Sequence, residues 1–136
     1  MVKKTIYSAL LLAIITFFSY TLIYKVINIT AFALNIAKTG IFPIKLVDLV
    51  AYSALLIELL SILMLIFNEK RGIQLSLLMI VLFTLYITIL YLNDRYETCG
   101  CGGILNGLHF FPHLLINLSI IIILIILLRK NEKNCF

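Results

Sequence analysis

Charged side chains are scarce in this sequence: they make up 12% of its 136 residues, and only six residues are acidic. Hydrophobic residues make up 63%, and the mean hydropathy is +1.16. A soluble domain of this length does not need so many apolar residues to fill its core. Proline is also rare, with two residues, and the sequence has neither an obvious repeat nor a low-complexity tail. The composition therefore excludes a soluble globular protein and indicates an integral membrane protein.

Four long apolar runs are present instead. A helix that spans the hydrocarbon core of a bilayer needs roughly 20 mainly apolar residues. The runs lie at about 5–24, 46–67, 73–92 and 113–128. The first run is longer than the roughly 7–15 apolar residues of a signal peptide, so we expect it to remain as an uncleaved span. No soluble domain is left between the spans, and we predict a single membrane domain over residues 1–136.

The connections between the runs predict an all-α, up-down four-helix bundle. The stretch "NEKRG" at residues 68–72 is so short that the second and third spans must be antiparallel neighbours. The first connection, residues 26–45, is longer and partly apolar, with a break at Thr39-Gly40 and a proline at Pro43. We expect it to form a short interfacial helix followed by a turn.

The basic residues indicate topology. The formal net charge is +5, but the basic side chains cluster beside the spans, which gives no reason to expect a nucleic-acid partner. The larger group is Lys3, Lys4, Lys70, Arg71, Arg129, Lys130 and Lys133, and the smaller group on the other side is Lys25, Lys38, Lys45 and Arg95. By the positive-inside rule, both termini face the cytoplasm and the connection before the fourth span faces outward. In a bacterial inner membrane, that connection would meet an oxidising compartment.

The outward connection contains the chemistry-bearing stretch "ETCGCGGILNGLHFFPH", residues 97–113. Cys99 and Cys101 are two residues apart, which on an extended chain is at the upper limit for a disulfide, so a bridge between them requires a sharp turn. Gly100 permits that turn. A strained and exposed disulfide exchanges more readily than a structural one. The spacing therefore favours thiol-disulfide exchange, and the alternative is an unpaired turn. Cys135, in the C-terminal tail, is expected to stay a reduced thiol without a role.

The two histidines raise the question of a metal site. Cys99, Cys101, His109 and His113 supply four zinc-type ligands. Pro112 suits the first turn of a helix, so we expect the fourth helix to begin there, which places His109 outside it. The histidines then share no helical face, and we predict no metal site. His113 would lie in the first turn, where the helix dipole favours a neutral imidazole that can accept a thiol proton.

Two polar residues within the spans are further candidates. Glu58 lies near the centre of the second span, where an ionisable group is costly and by default faces the bundle interior with a partner. A proton relay, a quinone contact and a structural hydrogen bond are all open for it. Asn117 lies one turn after His113 on the same face, where it is expected to orient the imidazole ring.

These residues resemble the MauE/DoxX family of redox-associated bacterial membrane proteins. The resemblance rests on "CGCGG" at 99–103, "GLHFFPHLLINL" at 107–118, "YKVINITAFALNI" at 24–36 and Glu58. Phe110 stands where the family pattern has tryptophan, and Asn28 where it has an acid. The resemblance implies a four-helix membrane protein that handles thiol and disulfide electrons for exported proteins, in some settings with thioredoxin-like partners.

The sequence thus leads to a membrane thiol-disulfide oxidoreductase, or its redox subunit, as the first hypothesis. Cys99 and Cys101 form the active pair, with His113 as the proton-transfer group, and they exchange with a periplasmic thioredoxin-like protein or an exported substrate. No cofactor is firmly indicated, but a quinone is a candidate electron acceptor because only one cysteine pair faces outward. The alternatives are a non-catalytic assembly or anchoring subunit and a metal-binding membrane protein.

Overall fold

The computed structural model describes residues 2–96 and 107–134, with side chains from 3 to 96 and from 107 to 132. Within these ranges the chain is helical and contains no strand. The helices are α1 (Val2–Ile27), α2 (Ile29–Thr39), α3 (Ile44–Phe67), α4 (Glu69–Leu92) and α5 (Phe110–Asn134). All of these except α2 are long and apolar enough to cross a membrane. The predicted all-α membrane bundle, with a short helix after the first span, is confirmed.

Helices α3 and α4 form a tight hairpin. The predicted loop at 68–72 is wrong in length, because α4 already begins at Glu69 and Asn68 alone separates the helices. Asn68 begins α4 by accepting a hydrogen bond from the backbone N–H of Arg71, at 3.4 Å, which satisfies one of the N–H groups that a helix leaves open at its start. Gly72 then lies against the backbone of Leu65, where a Cβ atom would overlap main-chain atoms. The hairpin is therefore closed by direct backbone contact.

The short helix α2 is folded against α3. Phe32 and Ile36 of α2 form a small buried cluster with Val47 and Ala51 of α3. The helix ends at Thr39, and the next residue, Gly40, adopts a φ of 65° that residues other than glycine rarely tolerate. The Gly40 N–H donates to the Ala37 carbonyl. This is the interfacial helix that the sequence predicts, and its burial against α3 makes it part of the bundle.

Helix α5 starts earlier than expected. It begins at Phe110, so Pro112 is its third residue and not its first. Proline is tolerated there because the N–H groups of the first turn have no acceptor inside the helix. Phe110 stacks on Tyr91 near the end of α4, with ring centroids 4.1 Å apart and an angle of 11° between the rings. This stack holds the start of α5 against the end of α4.

Candidate functional site

A buried ion pair connects α1 and α3. The Lys25 ammonium donates to Glu58 Oε2 at 2.9 Å, and both side chains are at most 5% exposed. The Thr21 hydroxyl, one turn before Lys25, donates to Glu58 Oε1. The Lys25 Nζ atom also lies 4.9 Å from the centre of the Phe83 ring, within cation–π range. Glu58 therefore faces the bundle interior with a partner, as its position in the second span predicts.

The identity of that partner corrects the sequence reasoning. The predicted first span ends at residue 24, and Lys25 is counted there as an exterior residue. The structure extends α1 to Ile27 and buries Lys25 inside the bundle. An acid in a membrane span needs a compensating charge, and the basic residue nearest to the end of an apolar run is the natural source. That signal was in the sequence. With Lys25 paired inside the bundle, the smaller basic group has one member fewer, and the orientation stays a prediction.

The second polar group is built on His113, which is 2% exposed in the first turn of α5. The Tyr96 hydroxyl lies 2.8 Å from His113 Nδ1 and donates to the Leu108 carbonyl at 3.0 Å. A hydroxyl has one proton to give. With that proton on the Leu108 side, a neutral His113 donates from Nδ1 to the tyrosine oxygen and keeps Nε2 as an acceptor.

Tyr96 is a site residue that the sequence reasoning missed. It follows α4 and is only half-buried, yet its hydroxyl joins both described flanks of segment 97–106 to the histidine ring. Burial raises the pKa of Tyr96 above its ordinary value of 10.0. The hydroxyl is therefore protonated at physiological pH and able to donate. Its signal in the sequence is its place, three residues before the first cysteine of the pair.

The Asn117 side chain makes a different contact from the predicted one to the imidazole ring. It is 2% exposed and one turn after His113, but its side-chain amide donates to the Thr84 hydroxyl of α4, at 3.3 Å. Among the described residues, Tyr96 supplies the hydrogen bond to the imidazole. Asn117 instead connects α5 to α4, because Thr84 is a residue of α4. The Thr84 hydroxyl in turn donates to the Ile80 carbonyl at 2.7 Å.

The end of α2 is attached to the same region. Arg95, directly before Tyr96, donates a hydrogen bond from its guanidinium to the Thr39 carbonyl at the end of α2. The guanidinium also lies against Gly40, where a Cβ atom would collide with it. The short helix and the residues after α4 are therefore joined, and both flank the polar groups described above.

Several predicted site residues lie outside the described ranges. Cys99, Gly100 and Cys101 fall in segment 97–106, and Cys135 falls after residue 134, so their predicted roles stay predictions. His109 is exposed and precedes α5, accepting a hydrogen bond at its carbonyl from the His113 N–H at 3.2 Å. In the described part of the chain, no three His, Cys, Asp or Glu side chains are grouped as a metal would require.

A cavity of about 460 Å³ lies between the helices and contains both polar groups. Lys25, Glu58, His113 and Asn117 all line it, together with Thr21. The rest of the wall is almost entirely apolar and includes six aromatic side chains: Phe17, Phe18, Phe32, Phe42, Phe83 and Tyr86. Its volume lies in the range of roughly 300–1,000 Å³ that is typical of small-molecule sites, which also combine apolar walls with a few polar groups.

Fold and site together define a helical membrane protein with four potential spans and, between them, a mainly apolar, partly aromatic cavity that contains two polar groups. The family model described as methylamine utilisation protein MauE matches residues 3–130. The chain therefore belongs to the MauE family, which confirms the resemblance noted from its motifs. Searches of curated proteins and of solved structures found no match.

Proposed function

We propose that this protein is a thiol-disulfide redox protein of the bacterial inner membrane. Cys99 and Cys101 form its active dithiol or disulfide, and both termini face the cytoplasm so that the pair faces outward. Its partner is a periplasmic thioredoxin-like protein or an exported protein with cysteines. Membership of the MauE family and four potential spans support the membrane location. Cys99 and Cys101, separated by Gly100, supply the redox chemistry.

The observation that carries the proposal is the Tyr96 hydroxyl contact. The hydroxyl oxygen lies 3.0 Å from the Leu108 carbonyl oxygen and 2.8 Å from His113 Nδ1. Tyr96 and Leu108, which flank the cysteine-bearing segment on its two sides, are therefore in contact beside the titratable His113 ring. Cys99 is three residues from Tyr96 along the chain, and three extended residues span about 11 Å at most. Whatever path the segment takes, Cys99 is tethered within that reach of the Tyr96 backbone.

The reaction is an exchange through a mixed disulfide. The thiolate of one cysteine attacks a disulfide of the partner protein, which breaks that bond and releases a partner thiolate. The second cysteine then attacks the mixed disulfide, so that the pair becomes oxidised and the partner is left with two thiols. The reverse sequence oxidises the partner. His113 accepts a proton from the attacking thiol and returns one to the leaving sulfur.

The test is capture of the mixed disulfide. In cells, Cys99→Ser or Cys101→Ser should leave one attacking sulfur without its resolving partner, so a covalent complex accumulates that reductant dissolves. Cys135→Ser is the matched control, because it removes a thiol that the proposal does not use. If neither single variant traps a partner, and the redox state of exported proteins is unchanged in both, the catalytic role is lost and the anchoring-subunit hypothesis takes its place.

The orientation has its own test. A membrane-impermeant maleimide, added to intact spheroplasts under reducing conditions, should label Cys99 and Cys101 in the Cys135→Ser protein. In a Cys99→Ser/Cys101→Ser protein, Cys135 should be labelled only after the membrane is permeabilised. The opposite pattern would place the cysteine pair in the cytoplasm, where stable disulfides are rare, and would contradict the proposed partners.

A further inference from the structure

The cavity between the helices is larger than its structural role requires. Natural helical interiors are close-packed and have few voids larger than a water molecule. Here the chain leaves about 460 Å³ open in the half of the bundle that carries the ion pair and His113. We propose that the cavity is a binding site for a quinone with an apolar tail, which enters from the bilayer. Its part in electron transfer rests on the function proposed above, whereas binding itself does not.

The cavity is accessible from the outer surface of the bundle. Four of the residues that line the cavity are also exposed: Leu49, Ser53 and Ile57 of α3 and Leu82 of α4. They lie within two helices that are suited to span the membrane, so the opening that they border faces lipid chains. A ligand that enters by this route is dissolved in the bilayer and carries an apolar body.

The charges in the cavity favour a neutral ligand. The one cation that lines the cavity in the described part of the chain, Lys25, is neutralised by Glu58 at 2.9 Å. An anionic head such as a phosphate would have to compete with that carboxylate inside a site of low polarity, at a large electrostatic cost. Neutral hydrogen-bonding groups fit better. The Lys25 ammonium and the Asn117 amide are donors for a carbonyl oxygen, and neutral His113 offers an acceptor for a hydroxyl.

The shape of the cavity wall suits a flat ring. Its six aromatic side chains line the same cavity as the polar groups. Aromatic side chains pack well on a flat conjugated ring, in stacked or edge-to-face arrangements. A flat, neutral head with carbonyl oxygens and an apolar tail is the chemical description of a quinone, and its reduced form replaces the two carbonyls by two hydroxyls.

The same ligand closes the electron balance of the proposed function. When the Cys99 and Cys101 thiols are oxidised to a disulfide, they lose two electrons and two protons. A quinone takes up two electrons and two protons and becomes a quinol. His113 lines the cavity and also bonds Tyr96, which directly precedes the segment 97–106 that carries both cysteines in the sequence.

The experiment measures binding of tritium-labelled ubiquinone-1 to the purified full-length protein in lipid nanodiscs, with empty nanodiscs subtracted. The wild type should bind it saturably, with one molecule per protein chain. Ala54→Phe, inside the cavity, and Ser53→Phe, on the exposed border, should each weaken binding by about tenfold or more. Ala13→Phe is the matched control, because Ala13 is exposed on α1 and does not line the cavity. Its affinity should stay within about twofold of the wild type.

Two variants are needed because a phenylalanine at the half-buried Ala54 can disturb packing, whereas Ser53 is exposed and its replacement leaves the core unchanged. If the wild type shows no saturable binding, or if Ser53→Phe and Ala54→Phe both bind as tightly as Ala13→Phe, the proposal is overturned. It is also overturned if native mass spectrometry finds a phospholipid that ubiquinone-1 does not displace from the wild type and that both cavity variants lose.

A second arm separates the two proposals. Reduced wild-type protein mixed with ubiquinone-1 should form ubiquinol as its thiols disappear, one quinol for each cysteine pair. Cys99→Ser should still bind the quinone and form no quinol. Cavity-dependent binding without quinol in the wild type would refute the electron-transfer step and leave the binding site intact. Capture of a mixed disulfide by a protein that does not bind quinone would support the thiol-disulfide function and refute the quinone site in the cavity.

Discussion

The two halves of the bundle are packed in opposite ways. In the half around the α3–α4 hairpin, Gly72 allows backbone contact, and Leu65, Ile73, Leu124 and Leu127 are at most 1% exposed. At its end, the Tyr7 hydroxyl donates to Glu69 and accepts from Asn131, so that α1, α4 and α5 are joined. We call this the closed half.

The half that contains Lys25, Glu58 and His113 we call the open half. Its helices enclose a cavity, and an ion pair, single hydrogen bonds and ring stacking are present there beside two small apolar clusters. The closed half therefore contributes the larger share of apolar packing, whereas the open half leaves room for a ligand and positions polar groups around it. Changes in the closed half should therefore act on stability alone, and changes in the open half on stability and function together.

The largest effect is expected from breaking the ion pair of the open half. Glu58→Leu leaves the Lys25 ammonium buried without its carboxylate and should lower the free energy of unfolding by about 3–5 kcal/mol. Measurement of unfolding in mixed micelles would show it. Lys25→Met in the same chain should restore most of the loss, because removing both charges is often neutral. A double variant no more stable than Glu58→Leu would mean that the pair is not the source of the effect.

A change in the closed half comes next. Gly72→Ala places a Cβ atom into the backbone of Leu65 and should destabilise the fold by about 1–3 kcal/mol in the same assay. Ser76→Ala, one turn along α4, is the matched control. The Ser76 hydroxyl is buried and finds no hydrogen-bond partner in the described part of the chain, so its loss should be neutral or slightly stabilising. Equal losses for the two variants would contradict the close contact at Gly72.

Tyr96→Phe should have a smaller effect on stability and a clear effect on function. It removes the hydroxyl that bonds Leu108 and His113, which should cost about 1 kcal/mol. The His113 ring also loses its hydrogen bond and is no longer held in one tautomer. The proposed disulfide exchange with a partner protein identified by trapping should therefore be slower. Tyr91→Phe keeps the ring stack on Phe110 and serves as the control. Equal exchange rates in the two variants would exclude a positioning role for Tyr96.

The smallest effect is a dependence of stability on alkaline pH. The raised pKa of Tyr96 means that the unfolded chain releases this proton near its ordinary value of 10.0, whereas the folded chain still holds it. Unfolding then becomes more favourable as the pH rises, so stability is lost above about pH 10 and is unaffected below it. Between about pH 9 and pH 11, an interval centred on the ordinary tyrosine pKa, Tyr96→Phe should lose less stability than the wild type. Parallel pH profiles would contradict the burial of this hydroxyl.

Hydrophobic run length predicted most of the fold, because a spanning helix leaves a long apolar signature that needs no tertiary information. The boundaries were less accurate where a residue has two physical roles. Lys25 resembles an exterior residue until its partner is known, and Pro112 resembles a helix start although the whole first turn tolerates it. The cavity could not be predicted, since its existence depends on how far the helices separate.

Within the site, the sequence identified the residues whose chemistry is unusual for a membrane. Glu58 and His113 are both buried at the cavity, and an ionisable group in a span is conspicuous in any apolar run. Thr21 and Tyr96 were missed because threonine within such helices and tyrosine beside them are ordinary residues. Their importance comes from their neighbours in three dimensions, because the Thr21 hydroxyl contacts Glu58 and the Tyr96 hydroxyl contacts His113.

The Lys25–Glu58 pair also affects the order in which the helices settle in the membrane during synthesis. The two residues are 33 positions apart, so the ribosome delivers the ammonium to the membrane well before it has synthesised the carboxylate. A positive charge near the end of α1 stays at the bilayer surface, with its stem along the helix, until a counter-charge arrives. Insertion of α3 supplies that counter-charge. We therefore expect α1 to reach its final position only after α3 has been inserted during biosynthesis.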